Sequence, residues 1–393
     1  MRRARIVIAS RLFTPEVGAA AFRLQALADG LTGRGARVTV LTTTPPEGST
    51  LPSTRTEETV SRFPVLRDAG GNVRGYLQYL SFDIPLFFRL LFTRADLVIS
   101  EPPPTTGAVV AITSWLRRRP YVYYAADVWT EALAAIDAPG PITRLMRAVE
   151  GFALRNAARV LAVSDDVATK VGEFDVDRAR IVTVGNGVDT GIFSPAAEPA
   201  AHNGPTFVYS GTMSEWQGVD LFIKAMPAVL AHRPNARLLL IGQGSAEAEL
   251  RNLAARIAPD AVEFGGVVPP ASAASALRAA TAALVSIVPG QGYDFAKPTK
   301  IYAAAACGTP VIFAGTGAGA QLVREASLGY AVTYDEDAVT AGMIRALDDA
   351  TSNASEAARA ARASWAHDNA SLAAAGHRAA SAVIDVLRPR LGP

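Results

Sequence analysis

A chain of 393 residues, half of them hydrophobic and 19% charged, is long enough for two folded domains of Rossmann size and too apolar for disorder. A net charge of +2, with no arginine-rich arm and no zinc-finger spacing, speaks against nucleic acid as a partner. The one cysteine, Cys307, falls in an apolar helical pattern; it excludes an intrachain disulfide and fits a core residue in a reducing compartment.

The basic Met1 to Arg5 has the charge of a signal peptide, but the apolar run after it, Ile6 to Ala9, is far too short and reads as a first strand. Strands are expected at 5–10, 37–42, 59–65, 97–100, 121–125, 160–163 and 181–184, with helices at 19–31, 74–92 (broken), 106–116 and 141–156. The most apolar stretch, 76–92, is interrupted by Gln78, Asp83, Pro85 and Arg89 and cannot span a bilayer as a continuous helix. Residues 194–205, rich in Pro and Ala and without an apolar period, read as a linker.

After the linker the alternation restarts, with strands expected at 206–210, 237–241, 262–264, 283–287, 311–313 and 329–332 and helices at 217–230, 246–257, 271–278, 299–307 and 335–349. The alanine-rich tail, 352–387, reads as helical, with Trp365 and Leu372 as anchors for packing back on the first domain. The expected organisation is a Rossmann-like domain over 1–193, the linker, a second Rossmann-like domain over 206–350 and a helical segment over 351–393. Alternating strands and helices predict an α/β fold with parallel sheets, in which ligands bind outside the carboxyl ends of the strands, so a shared cleft is the default site.

Each half opens with a strand and a glycine-bearing turn, Ser10 to Gly18 and Tyr209 to Gly218. Neither is a dinucleotide fingerprint or a Walker loop, although Ser214 and Gln217 have capping-box spacing. The sharpest segment is Lys297-Pro-Thr-Lys300, which runs into Ile301 to Cys307 and then Gly308-Thr-Pro-Val-Ile312. Pro298 suits a first helical turn, and the free amides there, beside two lysines, form a natural anion site. The loops 211–218, 241–244, 264–269 and 297–310 all follow expected strands, so four loops on one rim can surround one nucleotide. The four histidines, His202, His232, His367 and His377, are scattered, and Asp175-Val-Asp177 reads as a solvated turn, so no metal site and no cofactor are expected.

The series Pro15-Glu-Val-Gly18, Asp127-Val-Trp129, Val184-Gly-Asn-Gly-Val-Asp189, Gly211 to Gly218, Gly265-Gly-Val-Val-Pro269 and Lys300 to Ile312 resembles glycosyltransferase family 4 over roughly the whole chain. These are retaining enzymes of the GT-B fold, two Rossmann-like domains facing each other across a cleft. The likeness is nearest to the bacterial branch that builds surface polysaccharides, where Gln-Gly stands at 217–218.

The resemblance implies a nucleotide-diphosphate sugar donor in the second domain and a saccharide or lipid-linked acceptor at the first. It implies Lys300, aided by Lys297 and the helix dipole, as the charge that meets the leaving diphosphate. Gly211, Thr212, Gln217, Val267, Thr299 and Ala303 would line the donor, and Gly18, Asp127 and Glu131 would serve the first domain, Asp127 beside the sugar or acceptor. Transfer in this fold is drawn as front-face attack, with the departing phosphate deprotonating the acceptor, so no dedicated base is expected.

The chain departs from the family pattern at four positions. Phe295 and Ala303 replace two glutamates, and Thr212 and Gln217 replace an arginine and a lysine. Loss of a charged hydrogen bond at Ala303 is worth about ten- to a hundredfold in affinity. A catalytically weak binding or scaffold protein therefore stands beside the enzyme reading, while an epimerase lacks an acid–base cluster. Arg117, Arg118, Arg119, Arg144, Arg147, Arg155 and Arg159, with the aromatic stretch 76–92, suit contact with an anionic membrane. The expected setting is the cytoplasm, peripheral at the inner face of the cell membrane.

Overall fold

The computed structural model describes residues 3–16, 18–46, 58–68, 71, 73, 75–130, 140–196, 204–350 and 355–391. The chain divides into two compact units, one of residues 1–186 with 372–393 and one of residues 187–371.

The first unit holds, in order, β1 (Arg5–Ala9), α1 (Ala19–Thr32), β2 (Arg37–Thr43), β3 (Thr59–Phe63), α2 (Tyr76–Phe92), β4 (Leu97–Ser100), α3 (Pro104–Leu116), β5 (Tyr121–Ala125), α4 (Gly140–Arg155), β6 (Arg159–Ala162), α5 (Asp165–Gly172) and β7 (Ile181–Thr183). Its seven strands form one sheet in the order β3-β2-β1-β4-β5-β6-β7, every neighbouring pair parallel. Strands such as Tyr121–Ala125, buried at every position, are continuous apolar runs because helices cover both faces of such a sheet.

The second unit holds β8 (Thr206–Ser210), α6 (Asp220–His232), β9 (Arg237–Ile241), α7 (Glu247–Ile257), β10 (Val262–Gly266), α8 (Pro270–Ala279), β11 (Ala282–Ser286), α9 (Thr299–Ala306), β12 (Val311–Ala314), α10 (Gly317–Glu325), β13 (Gly329–Val332), α11 (Glu336–Asp349) and α12 (Ser355–Asn369). Its sheet runs β10-β9-β8-β11-β12-β13, again all parallel. In both sheets the order reverses at an interior pair, β1 beside β4 and β8 beside β11, and such a switch point opens a crevice at the carboxyl ends of the strands.

The tail is two helices rather than one. Val188 donates its amide to Ala370 O (2.9 Å) and bridges to Ser371, and this pairing interrupts the helix. α12 belongs to the second unit, where Trp365 stacks on Tyr302 and Arg362 donates to Gly308 O (2.9 Å). α13 (Leu372–Leu391) belongs to the first and lies against α1 at van der Waals closeness: a Cβ at Gly376 would come 2.3 Å from Ala26 O, and one at Gly30 would come 2.8 Å from Gly376 O. Arg378 Nε fastens α13 to Val184 O (2.8 Å). No described helix is long and apolar enough to cross a membrane.

Candidate functional site

In the second unit the polar groups collect at the switch point between β8 and β11. Lys300, in the first turn of α9, donates from Nζ to the phenol oxygen of Tyr209 in β8 (2.9 Å), and its ammonium lies 4.6 Å from that ring's centroid. The Tyr209 oxygen is also 2.5 Å from Thr212 O and 2.5 Å from Gln217 Oε1; with one hydrogen to give, the phenol serves one of the two at a time. Ser286, at the end of β11, donates its hydroxyl to Gln217 O. Burial pushes the Tyr209 phenol up and brings Lys300 down to about 7.

Gly211 has φ +146°, and a Cβ there would come 2.3 Å from Lys300 Cε, so the loop backbone rests directly on the lysine stem. Gly218 closes the loop with φ +56°, where a Cβ would meet the Tyr334 hydroxyl at 1.9 Å. The expected capping box is corrected. Ser214 makes no side-chain cap hydrogen bond, the turn over 215–217 is a short 3-10 helix, and Gln217 points inward, 5% exposed, onto Tyr209. The buried phenol outcompetes the cap for the Gln217 amide, and the regular helix begins three residues later, at Asp220.

Thr299 opens α9, and Ala303, one turn beyond Lys300, lines a small cavity with Lys300, Val208, Ser210 and Leu277, a lining without a carboxylate. Lys297 is half-buried one residue before Pro298. Thr212 is exposed at the loop tip, and Val267, 54% exposed, follows β10. Asp294 accepts from Gly290 N (3.1 Å) and Thr316 Oγ1 (2.9 Å), and its carbonyl accepts from Ala318 N (2.8 Å), so it fastens the loop before Phe295 to the start of α10. Trp216 stacks on Tyr293 with centroids 4.3 Å apart and braces the same loop.

In the first unit the equivalent position lies between β1 and β4. Glu101, just past β4, pairs with Arg23 of α1 and accepts from Ser10 Oγ (3.0 Å) at the end of β1. Burial lowers the Arg23 guanidinium, but Glu101, Tyr124 and Asp127 together more than offset it and raise the group, which lies 5.2 Å from the Tyr124 ring centroid. Arg11 donates to Val73 O (2.6 Å) and covers the Tyr79 ring at 4.2 Å.

Asp127 follows β5, and part of its surface reaches solvent while protein crowds its carboxyl. Desolvation by the protein packed around it pushes its carboxyl up to about 6, with Glu150 and Glu101 adding to the rise and Arg23 opposing it. The second and third residues after it, Trp129 and Thr130, are held from below. Glu150 of α4, 1% exposed, accepts from Trp129 N (2.9 Å), Thr130 N (2.9 Å) and the Thr130 hydroxyl.

Gly18 precedes α1 in extended conformation, and a Cβ there would come 3.0 Å from Leu12 Cδ2, a tight contact that the leucine side chain would have to yield to. Glu131 lies outside the described residues. Among the described residues no group of three or more His, Cys, Asp or Glu could hold a metal ion, and Asp177 caps a surface turn by accepting from Ala179 N (3.0 Å).

Tyr209, Ser286, Arg23, Glu101 and Glu150 were not singled out by sequence reasoning. The available signals were faint: Tyr209 stands two residues before the loop glycine, and Glu150 occupies an apolar-face position of an amphipathic helix.

Residues 18–187 match the family model "Glycosyl transferase 4-like domain", and residues 204–349 match "Glycosyl transferases group 1". The GDP-mannose-dependent monoacylated alpha-(1-6)-phosphatidylinositol monomannoside mannosyltransferase of Corynebacterium glutamicum is 28% identical over 277 residues, 63% of this chain and 72% of that protein. A D-inositol 3-phosphate glycosyltransferase of a Nocardioides species is 28% identical over 233 residues, 53% of this chain and 50% of the relative, so the match spans about half of that relative's length. Among solved structures, Anabaena HepE in complex with UDP and glucose superposes with a TM-score of 0.74 at 18% identity, over 97% of this chain and 100% of that one. WaaG, a glycosyltransferase involved in lipopolysaccharide biosynthesis, gives 0.71 at 17% identity, over 96% and 98%. At such identities the likeness is one of fold. With both sheets all-parallel and a family model matched on each half, the chain belongs to glycosyltransferase family 4, with the two Rossmann-like domains of the GT-B fold.

Proposed function

We propose that this chain transfers a sugar, with retention of configuration, from a nucleoside-diphosphate donor held by the second unit to a saccharide or lipid-linked acceptor bound by the first, in the building of a surface polysaccharide or glycolipid. The observation that carries this reading is the Lys300 ammonium at the β8/β11 switch point, bonded to a neutral phenol instead of a carboxylate. A lysine so placed has donors to spare for an anion. As the bond between the anomeric carbon and the phosphate oxygen breaks, charge grows on the diphosphate. Lys300, Lys297 and the amides opening α9 oppose that charge. The acceptor oxygen bonds the anomeric carbon on the same face, and its proton passes to the departing phosphate. Asp127, with its elevated carboxyl, orients the sugar or the acceptor hydroxyl.

The Corynebacterium relative, named for GDP-mannose and a phosphatidylinositol mannoside, supports a nucleotide-mannose donor and a membrane acceptor; the HepE complex makes UDP-glucose the alternative donor to test. Membrane contact is supported by large apolar side chains exposed along α2, Leu77, Leu80, Ile84, Phe88 and Phe92. The neighbouring α3 adds Trp115, with Arg117 and Arg118 just beyond it. Cosedimentation with vesicles containing phosphatidylglycerol, lost in Leu77→Asp/Phe88→Asp, tests this contact; equal binding by the variant refutes it.

Thermal unfolding with UDP, GDP, ADP, dTDP and their common sugars, followed by a turnover assay on any hit, tests the transferase reading. A ligand at a hundredfold its Kd stabilises the native state by about 2.7 kcal/mol. The second reading, a nucleotide-sugar-binding scaffold protein, draws on Phe295 and on the carboxylate-free lining at Ala303. Binding without turnover on any acceptor favours it.

A further inference from the structure

We propose that Tyr209 is the positioning residue of the donor half: its phenol oxygen, held by the 211–218 loop, aims the Lys300 ammonium at the diphosphate. This rests on the transferase reading for what the lysine meets, while the positioning itself follows from the geometry. A lysine ammonium rides on a four-carbon stem with about 2 kcal/mol of rotamer entropy, so a free one spends little time where a ligand needs it.

Three constraints remove that freedom here. The stem is roofed by Gly211, with no room for even a methyl group between loop and lysine. The nitrogen donates to the phenol at 2.9 Å and lies over its ring at 4.6 Å. The ring is fully buried in the second unit's core, its neighbour Phe222 at 6.5 Å, and so cannot follow a moving lysine.

The phenol is fixed in turn. Its oxygen lies 2.5 Å from Thr212 O and from Gln217 Oε1, and Gln217 is tied to β11 through Ser286. Both ends of the glycine loop therefore meet on one oxygen, and that oxygen carries the lysine. Thr212 and Gln217, where the family resemblance implies an arginine and a lysine, here supply a carbonyl and an amide that hold the phenol. The Lys300 charge is placed by a neutral relay.

The first test needs no nucleotide. The chain has four lysines, Lys170, Lys224, Lys297 and Lys300, so reductive methylation with 13C-formaldehyde gives a simple spectrum in which Lys300→Met identifies one resonance. In Tyr209→Phe, which keeps the buried ring, the Lys300 resonance should move toward the positions of the exposed lysines, and its titration midpoint should shift by about half a pH unit or more. An unchanged resonance and midpoint overturn the proposal.

The second test is a double-mutant cycle on binding of UDP and GDP. Tyr209→Phe should weaken binding about tenfold, ~1.4 kcal/mol, in the wild-type background and less than about twofold beside Lys300→Met. Equal losses in both backgrounds mean that the phenol acts independently of the lysine and refute the positioning role. If Lys300→Met leaves binding of a nucleotide that does bind unchanged, the donor-site reading fails, and the spectroscopic result still decides whether Tyr209 sets the lysine.

Discussion

Diphosphate binding to the second unit should take up a proton, because Lys300 has a midpoint near 7 when the site is free. At pH 8 about nine-tenths of such amines are neutral. A diphosphate contacting the nitrogen restores the ordinary lysine affinity for protons, so binding captures ~0.9 proton at pH 8, ~0.5 at pH 7 and close to none at pH 5.5. The nucleotide itself adds little at pH 8, where its terminal phosphate has already lost its last proton. Affinity should fall about tenfold per pH unit from 7 toward the ordinary lysine range. Titration calorimetry of UDP or GDP in buffers of different ionisation enthalpy reads the proton count directly. Lys300→Met should bring it to zero. A count near zero in the wild type at pH 8, or one that survives Lys300→Met, refutes the reasoning.

The unliganded protein carries the same linkage with its own sign. The folded midpoint lies below the unfolded one, so between about 7 and the ordinary lysine range the unfolded chain holds a proton that the folded chain lacks. The stability difference between wild type and Lys300→Met should therefore shift toward the wild type as pH rises through that window, measurable by urea unfolding at pH 6.5 and 9.5.

Glu150→Ala strips the acceptor from one buried and one half-buried amide and should cost about 2–4 kcal/mol in urea unfolding, and it should also lower the Asp127 midpoint, since Glu150 helps raise it. Asp127, raised to about 6, should give a limb in the pH profile of transfer near that value, lost in Asp127→Asn; its effect on stability is favourable at pH 4 and lost as pH rises through 6. Gly376→Ala should destabilise the first unit by about 1–3 kcal/mol, because the new methyl meets Ala26 O at 2.3 Å, and an unchanged urea midpoint would contradict the close helix contact. Gly218→Ala carries about 1–2 kcal/mol from its left-handed backbone plus the displacement of Tyr334; adding Tyr334→Ala should recover only the second part, seen as partial restoration of the melting temperature.

Strands were the most legible elements because parallel sheets covered on both faces demand short unbroken apolar runs. Those expected at 97–100, 121–125, 206–210, 237–241 and 329–332 end where the structure ends them. Two of the described helices went unread. Asp165–Gly172 is eight residues long, too short for a helical period, although Ser164 before two aspartates is a cap signal and its side chain does accept from Val167 N. Gly317–Glu325 opens with two glycines in three residues, a composition that argues for a loop. It forms because Asp294 O and the Thr316 turn fix its first amides, and no local pattern announces a partner more than twenty residues away.

The site divides along the same line. Lys300 was legible because its signal is local: a proline, a helix start and a second lysine within four residues. Its partner was not, because Tyr209 lies 91 residues earlier, and in sequence a tyrosine in a strand is simply core. The misread capping box has the same cause. Gln217 at that spacing suits a helix start, but a buried phenol without another side-chain acceptor attracts the amide more strongly than a half-exposed turn does. Glu150 repeats the pattern in the first unit, where its amide partners lie 20 and 21 residues away across the turn after β5. In both units the charged group proposed to meet a ligand, Lys300 or Asp127, stands on a segment with a readable motif, while the buried group that holds Lys300 itself, or the turn just after Asp127, comes from another element. Sequence order identifies the first kind of residue, and only folding identifies the second, because the cost of an unpaired buried polar group is incurred in three dimensions.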